Sequence, residues 1–268
     1  PGPGGPSLVP PMLLAGAGVA VLATLVVLMA VAFVREPLLP VGLAVIVAAL
    51  GAIVASGLSS VAGLDWTQVA AVVSLLCVAV RPAVPTTSFK LAGLALPPLP
   101  VEPADLQVGI EPESGAELLA GTARADRYMT AMYAALGIGS TVALVRLAIS
   151  PGWMPPTLAV LVGFTQVLAA RPMTSAWHRL ALGLPATAGW ATVVLSLTAT
   201  SGAIALPMLL ALLLALAAGG CAHVLPRRRL TPIWGRFGDW GHTVALAVSV
   251  PLVVCILGGV GLLRSVVG

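Results

Sequence analysis

The chain has 268 residues, of which 59% are hydrophobic and 8% charged, with 13 Lys and Arg against 9 Asp and Glu. That balance excludes an ordinary soluble domain, and the formal charge of +4 comes with no basic stripe interleaved with aromatics, so nucleic acid is not an expected partner. A helix needs about 18 or more apolar residues to cross roughly 30 Å of hydrocarbon, and the chain carries about eight such stretches. Lipid offers backbone groups no water to bond, so the expected fold is all-α, a polytopic transmembrane helix bundle.

Residues 1–11 (PGPGGPSLVPP) read as a loop, and no basic segment of a signal peptide precedes the first span. The chain does not begin with Met, and a preceding N-terminal part is expected. The first span covers 11–34, with Gly16, Ala20 and Thr24 recurring every four residues on one face. The second covers 37–57 and carries the same ridge in Ala44, Ala48, Ala52 and Ser56. Small residues at that spacing let helix backbones approach closely in lipid, either within the bundle or between copies. A third span, 65–80, starts beside Asp65 and Trp66 and completes a first unit, 1–80.

Residues 81–126 form the one long connection and hold six of the nine acids, Glu102, Asp105, Glu111, Glu113, Glu117 and Asp126. Pro97, Pro98 and Pro100 favour an extended polyproline strand, and Ser114 to Glu117 has the spacing of a capping box that would start a short helix. Phe89, Leu91, Leu94 and Leu96 make the segment too apolar for a plain spacer, so a docking element is expected over a solvated linker. The last unit, 127–268, holds spans at 127–148, 155–170, 180–199, 203–224 and 241–263.

Alternating these spans puts Arg35, Arg81, Lys90, Arg124, Arg127, Arg171, Arg179, Arg227, Arg228, Arg229 and Arg236 on one side, and only Arg146 and Arg264 on the other. The positive-inside rule makes the first side cytoplasmic and puts the C-terminus outside. Trp66 and Trp153 then mark the outer interface, Trp177, Trp234 and Trp240 the inner one, and Trp190 lies deep.

The span centres hold no Asp, Glu, His, Lys or Arg, so a proton or ion relay is not expected. The three cysteines, Cys77, Cys221 and Cys255, lack CxxC spacing and read as small hydrophobes. Cys221 and His223 find no second pair for a metal, and GxxxxGK[ST], HExxH and GxSxG are all absent. No active site, cofactor or metal is expected, which also disfavours a lipid-modifying enzyme. The mid-membrane polar residues Ser140, Thr141, Thr165, Gln166, Thr187 and Thr192 are expected to bond between helices. The competing reading is a polytopic small-molecule permease, for which Gln166, Thr165 and Ser140 would line the path.

Three stretches carry a family resemblance. Residues 89–100, FKLAGLALPPLP, resemble the motif that opens the long cytoplasmic loop of EccD, a membrane subunit of mycobacterial type VII (ESX) secretion systems. Residues 168–182, LAARPMTSAWHRLAL, resemble that family's basic turn, and 226–265 its arginine-rich turn and last helix. The resemblance implies eleven spans and an N-terminal ubiquitin-like domain, of which this chain would hold the last eight spans. It also implies a homodimer within a larger inner-membrane assembly, around a vestibule filled with membrane lipids, with EccB, the ATPase EccC and EccE as partners. Partner contacts would then fall on Phe89, Lys90, Leu91, Pro97, Pro98, Pro100, Arg171, Arg179, Arg227, Arg228, Arg229 and Arg236.

Overall fold

The computed structural model describes residues 39–60, 62–94, 115–201 and 232–259. These residues form helices α1 (Leu39–Ser60), α2 (Trp66–Val80), α3 (Ala83–Leu91), α4 (Gly115–Ala148), α5 (Met154–Ala170), α6 (Ala176–Ser201) and α7 (Pro232–Ile256), with no strand among them. The expected spans 11–34 and 203–224 lie outside the described residues, as do Gly16, Ala20, Pro97, Pro98, Pro100 and Arg227 to Arg229. Four described helices, α1, α4, α6 and α7, are long and apolar enough to cross a membrane, and α2 with α3 counts as a fifth although bent by 58°. Helix α5 is apolar but shorter, at 17 residues.

Local chemistry explains the boundaries. Asp65 caps α2: its carboxylate accepts from the N–H groups of Thr67 (2.6 Å) and Gln68 (2.9 Å), and Gln68 Oε1 accepts from the Asp65 N–H (3.0 Å). That reciprocal box satisfies donors that would otherwise stay unpaired at the helix start. At the other end Pro82 has no N–H to continue the α-helical ladder, and the chain turns through the 58° corner into α3. Helix α3 stops at Gly93, whose φ of +75° is accessible because it has no Cβ. The Leu94 N–H then bonds Phe89 O (3.1 Å) and the Gly93 N–H bonds Lys90 O (3.1 Å), the paired bonds of a Schellman stop. Thus the LAGL of the FKLAGL stretch is a helix terminator.

The structure differs from the sequence reading at both edges of the long connection. The chain is helical again over 83–91, and α4 starts at Gly115 and runs unbroken into the fourth span, where a separate short helix was expected. Its 34 residues reach about 51 Å, longer than roughly 30 Å of hydrocarbon, and the charges of its N-terminal turns, Glu117, Arg124, Asp126 and Arg127, precede its apolar stretch. Those turns are held by packing: Val84, Ala92, Ala125, Tyr128, Met132, Tyr133 and Leu182 form one core, with Phe89, Leu94 and Leu39 against it. A Cβ on Gly121 would lie 2.8 Å from Leu94 Cδ2, so the α3 stop seats directly on α4.

A second core, centred on Leu144, Leu147, Leu158, Ala159 and Val162, joins α2, α4, α5, α6 and α7. Close approaches build it. A Cβ on Gly137 would lie 2.5 Å from the carbonyl oxygen of Ala181, and one on Gly189 3.0 Å from Leu144 Cβ. Trp190 covers Gly163 and donates Nε1–H to the Val160 carbonyl (3.2 Å).

The expectation of interhelical bonds from the mid-membrane hydroxyls is corrected at four positions. Thr141, Thr165, Thr187 and Thr192 donate instead to Gly137, Val162, Leu184 and Ala188 of their own helices, at 2.8, 2.8, 2.9 and 2.8 Å. In an apolar medium the nearest carbonyl is the backbone one turn back, and it satisfies the hydroxyl without a partner helix. Ser140 lies beside Cys77 instead, both lining one small cavity between α2 and α4.

Candidate functional site

Two polar networks define the ends of the bundle. At one end Thr67 Oγ1 meets Ser150 Oγ (3.2 Å) and Gln68 Nε2 donates to Ile256 O (3.2 Å), gathering the start of α2 with the ends of α4 and α7. Arg146 lies here and donates to Ser150 Oγ (3.3 Å), and Trp66 and Trp153 are exposed. The opposite end collects Arg81, Lys90, Arg124, Arg127, Arg171, Arg179 and Arg236, together with exposed Trp177 and Trp240. Charged caps and an aromatic girdle at two levels are what a membrane-spanning bundle presents to headgroups.

At the arginine-rich end Arg171 is a clamp. Its Nε donates to Leu168 O (3.1 Å) at the exit of α5, its Nη1 to Gly235 O (3.4 Å), and its Nη2 to Asp239 Oδ1 (2.8 Å) on α7. The guanidinium lies where a side chain on Gly238 would be, so the Gly-Asp of GRFGDW makes room for it and pairs it. Arg179 Nε donates to Met173 O (2.6 Å) and closes the α5–α6 turn. Buried His178 is 2.9 Å from Thr130 Oγ1 and 3.6 Å from Asp126 Oδ1, and its ring lies 5.4 Å from that of Tyr133. These two arginines of the expected partner set therefore bond within the chain, while Lys90, Leu91 and Arg236 are exposed and Phe89 is half-buried against α4.

Among the described residues, the side chains that a permeation path would need line little free volume. Ser140 and Gln166 line a cavity of about 10 Å³ with Cys77, Val78, Arg81 and Leu182. That is space for about one water molecule. Arg81 and Gln166 are buried, and Arg81 Nη1 and Gln166 Oε1 have no partner among the described residues. No group of three or more His, Cys, Asp or Glu among the described residues could hold a metal ion.

The outer surface is more informative. Ala44 is half-buried, whereas Ala48, Ala52 and Ser56 are exposed, so most of the α1 ridge does not serve packing of the described bundle onto itself. Helix α1 docks through Gly42 and Ala49 instead. Ile53, beside the ridge, is exposed and apolar, as are Leu50 and Val54 on the opposite face of the helix. Sequence reasoning identified the ridge but missed the Asp65 box and the Arg171–Asp239 clamp. A D-x-x-Q signal could have found the first, and no local signal exists for a pair 68 residues apart.

Comparison with known proteins places this architecture. A solved structure described as protomer 1 of the ESX-3 core complex superposes with a TM-score of 0.65 at 20% identity, covering 83% of this chain and 52% of that one. The chain thus spans about half the length of that relative. No curated protein matches. The EccD-like transmembrane domain family matches residues 1–266, and the chain belongs to the EccD family.

Proposed function

We propose that the chain is a structural, non-enzymatic membrane subunit of a type VII protein secretion complex. Two copies pair within the assembly, their bundles facing a lipid-filled vestibule, and scaffold the translocation ATPase EccC together with EccB and EccE. The arginine-rich end faces the cytoplasm of the inner membrane, with the connection 81–126 on that side and the C-terminus outside. The observation that carries this reading is the family match over nearly the whole chain. Three features support it: the small volume of the cavity beside Ser140 and Gln166, the exposed small-residue ridge of Ala48, Ala52 and Ser56, and the excess of arginine at one end. Contacts with partners fall on exposed Lys90, Leu91 and Arg236, where the side chains are free of the packing that occupies Phe89.

The test is genetic. Disrupting the gene should abolish export of the system's folded substrates while leaving small-molecule uptake unchanged, and plasmid-borne Gln166→Leu should restore export. Normal export in the disrupted strain, or a transport defect specific to Gln166→Leu, would overturn the reading.

A further inference from the structure

At the arginine-rich end α1 and α4 enclose a groove of about 220 Å³, lined by Leu39, Pro40, Ala120, Arg124, Arg127 and Tyr128. Arg124 and Arg127 are three residues apart, so their side chains leave adjacent points of the α4 surface. Both are exposed, and neither pairs with an acid among the described residues. Asp126, between them in sequence, turns to α6, with its carboxylate 3.6 Å from His178 Nε2. Glu117 is two helical turns before Arg124, about 10 Å along the axis. Of the other cations at this end, Arg81 is buried, Arg171 pairs with Asp239 and Arg179 bonds Met173 O, while Lys90 and Arg236 are exposed outside the groove.

The groove lies at the membrane boundary. Leu39 opens the apolar span α1, and no charged residue follows Arg127 until Arg146. Tyr128 combines an apolar ring with a phenol at the depth where such side chains settle. A guanidinium fork matches two phosphate oxygens, and two forks over an apolar wall of Leu39 and Pro40 suit a phosphate that carries a hydrocarbon root. Exposed Val41 continues that wall toward the hydrocarbon.

We propose that this groove is a headgroup site for an anionic phospholipid, with Arg124 and Arg127 binding the phosphate. An acidic protein segment has the charge but gains nothing from a site at headgroup depth, so the lipid is the favoured occupant.

The experiment is native mass spectrometry and thermal unfolding of the purified full-length protein, titrated with phosphatidylglycerol, phosphatidylcholine, inorganic phosphate and a poly-glutamate peptide. Phosphatidylglycerol should be retained and should raise the unfolding temperature. Arg124→Gln with Arg127→Gln should weaken its binding about thirtyfold, about fivefold per arginine. Arg236→Gln, an exposed arginine elsewhere at the same end, should change it by less than about twofold. Ala120→Glu places a carboxylate on an exposed groove position and should reproduce the loss without touching the packing, so a folding defect in the arginine variant does not end the test. Unchanged retention in both groove variants would overturn the site. Equal protection by inorganic phosphate would overturn the lipid in favour of a soluble anion, and stronger protection by poly-glutamate would overturn it in favour of an acidic partner.

Discussion

Replacing Gly137 by alanine tests whether close backbone contact between α4 and α6 holds the bundle together. The new Cβ would lie 2.5 Å from Ala181 O, on backbone that cannot swing aside. Carbon–oxygen contacts settle near 3.3–3.6 Å, so the helices must part by about 0.8 Å or more. Overpacking of that kind costs about 1–3 kcal/mol, while alanine in place of glycine returns about 1 kcal/mol of helix propensity, leaving a net loss of about 0–2 kcal/mol. Gly139, two residues on, separates the two effects: its Cβ would lie 3.7 Å from Cys77 Sγ, an ordinary contact. Gly139→Ala gains the same propensity without the clash, so the two variants should differ by about 1–3 kcal/mol. Reversible unfolding in mixed micelles, compared at one detergent composition, reads that difference. Equal stability of Gly137→Ala and Gly139→Ala would refute the close crossing of α4 and α6.

Three further outcomes follow from other contacts. Gly93→Ala meets no atom within 4 Å but must hold φ near +75°, so it should lose about 1–2 kcal/mol in the same unfolding assay, with no change in oligomer size. Gly238→Ala must expel the Arg171 guanidinium, so in a double-mutant cycle with Arg171→Ala its cost of about 1 kcal/mol should vanish once Arg171 is absent; additive losses would show that the clamp is not the contact disturbed. Ala48→Leu with Ala52→Leu should leave monomer unfolding unchanged, because both positions are exposed, and should reduce the oligomer size in detergent. Unaltered oligomer size would assign the ridge to lipid.

Much of this architecture is legible in the sequence because lipid imposes a simple rule: long apolar runs become helices. Six of the eight expected spans fall on described helices for that reason. The rule fails where helices leave the hydrocarbon. Arg124, Asp126 and Arg127 look like loop residues to a hydropathy reading, yet α4 passes straight through them because Ala125 and Tyr128 pack on Phe89 and Leu94. The bend at Arg81–Pro82 was readable as an end, but not as a corner with α3 beyond it. The charge asymmetry groups Arg171 with the start of the last helix, where the structure places its contacts with Gly235 and Asp239. Which of the arginines bond within the chain was not legible. Arg171 finds Asp239 and His178 finds Thr130 only after helices distant in sequence have packed, and sequence spacing carries no trace of those meetings. The hydroxyls of Thr141, Thr165, Thr187 and Thr192 misled for the opposite reason, because their own helix offered a nearer acceptor.

The most direct measurement of the central claim is affinity purification of the tagged full-length protein from native membranes in mild detergent, followed by native-size analysis and mass spectrometry. A secretion subunit should emerge in a megadalton assembly containing an FtsK/SpoIIIE-type ATPase. A lone monomer or small dimer without an ATPase, in a preparation where other large membrane complexes survive, would contradict it.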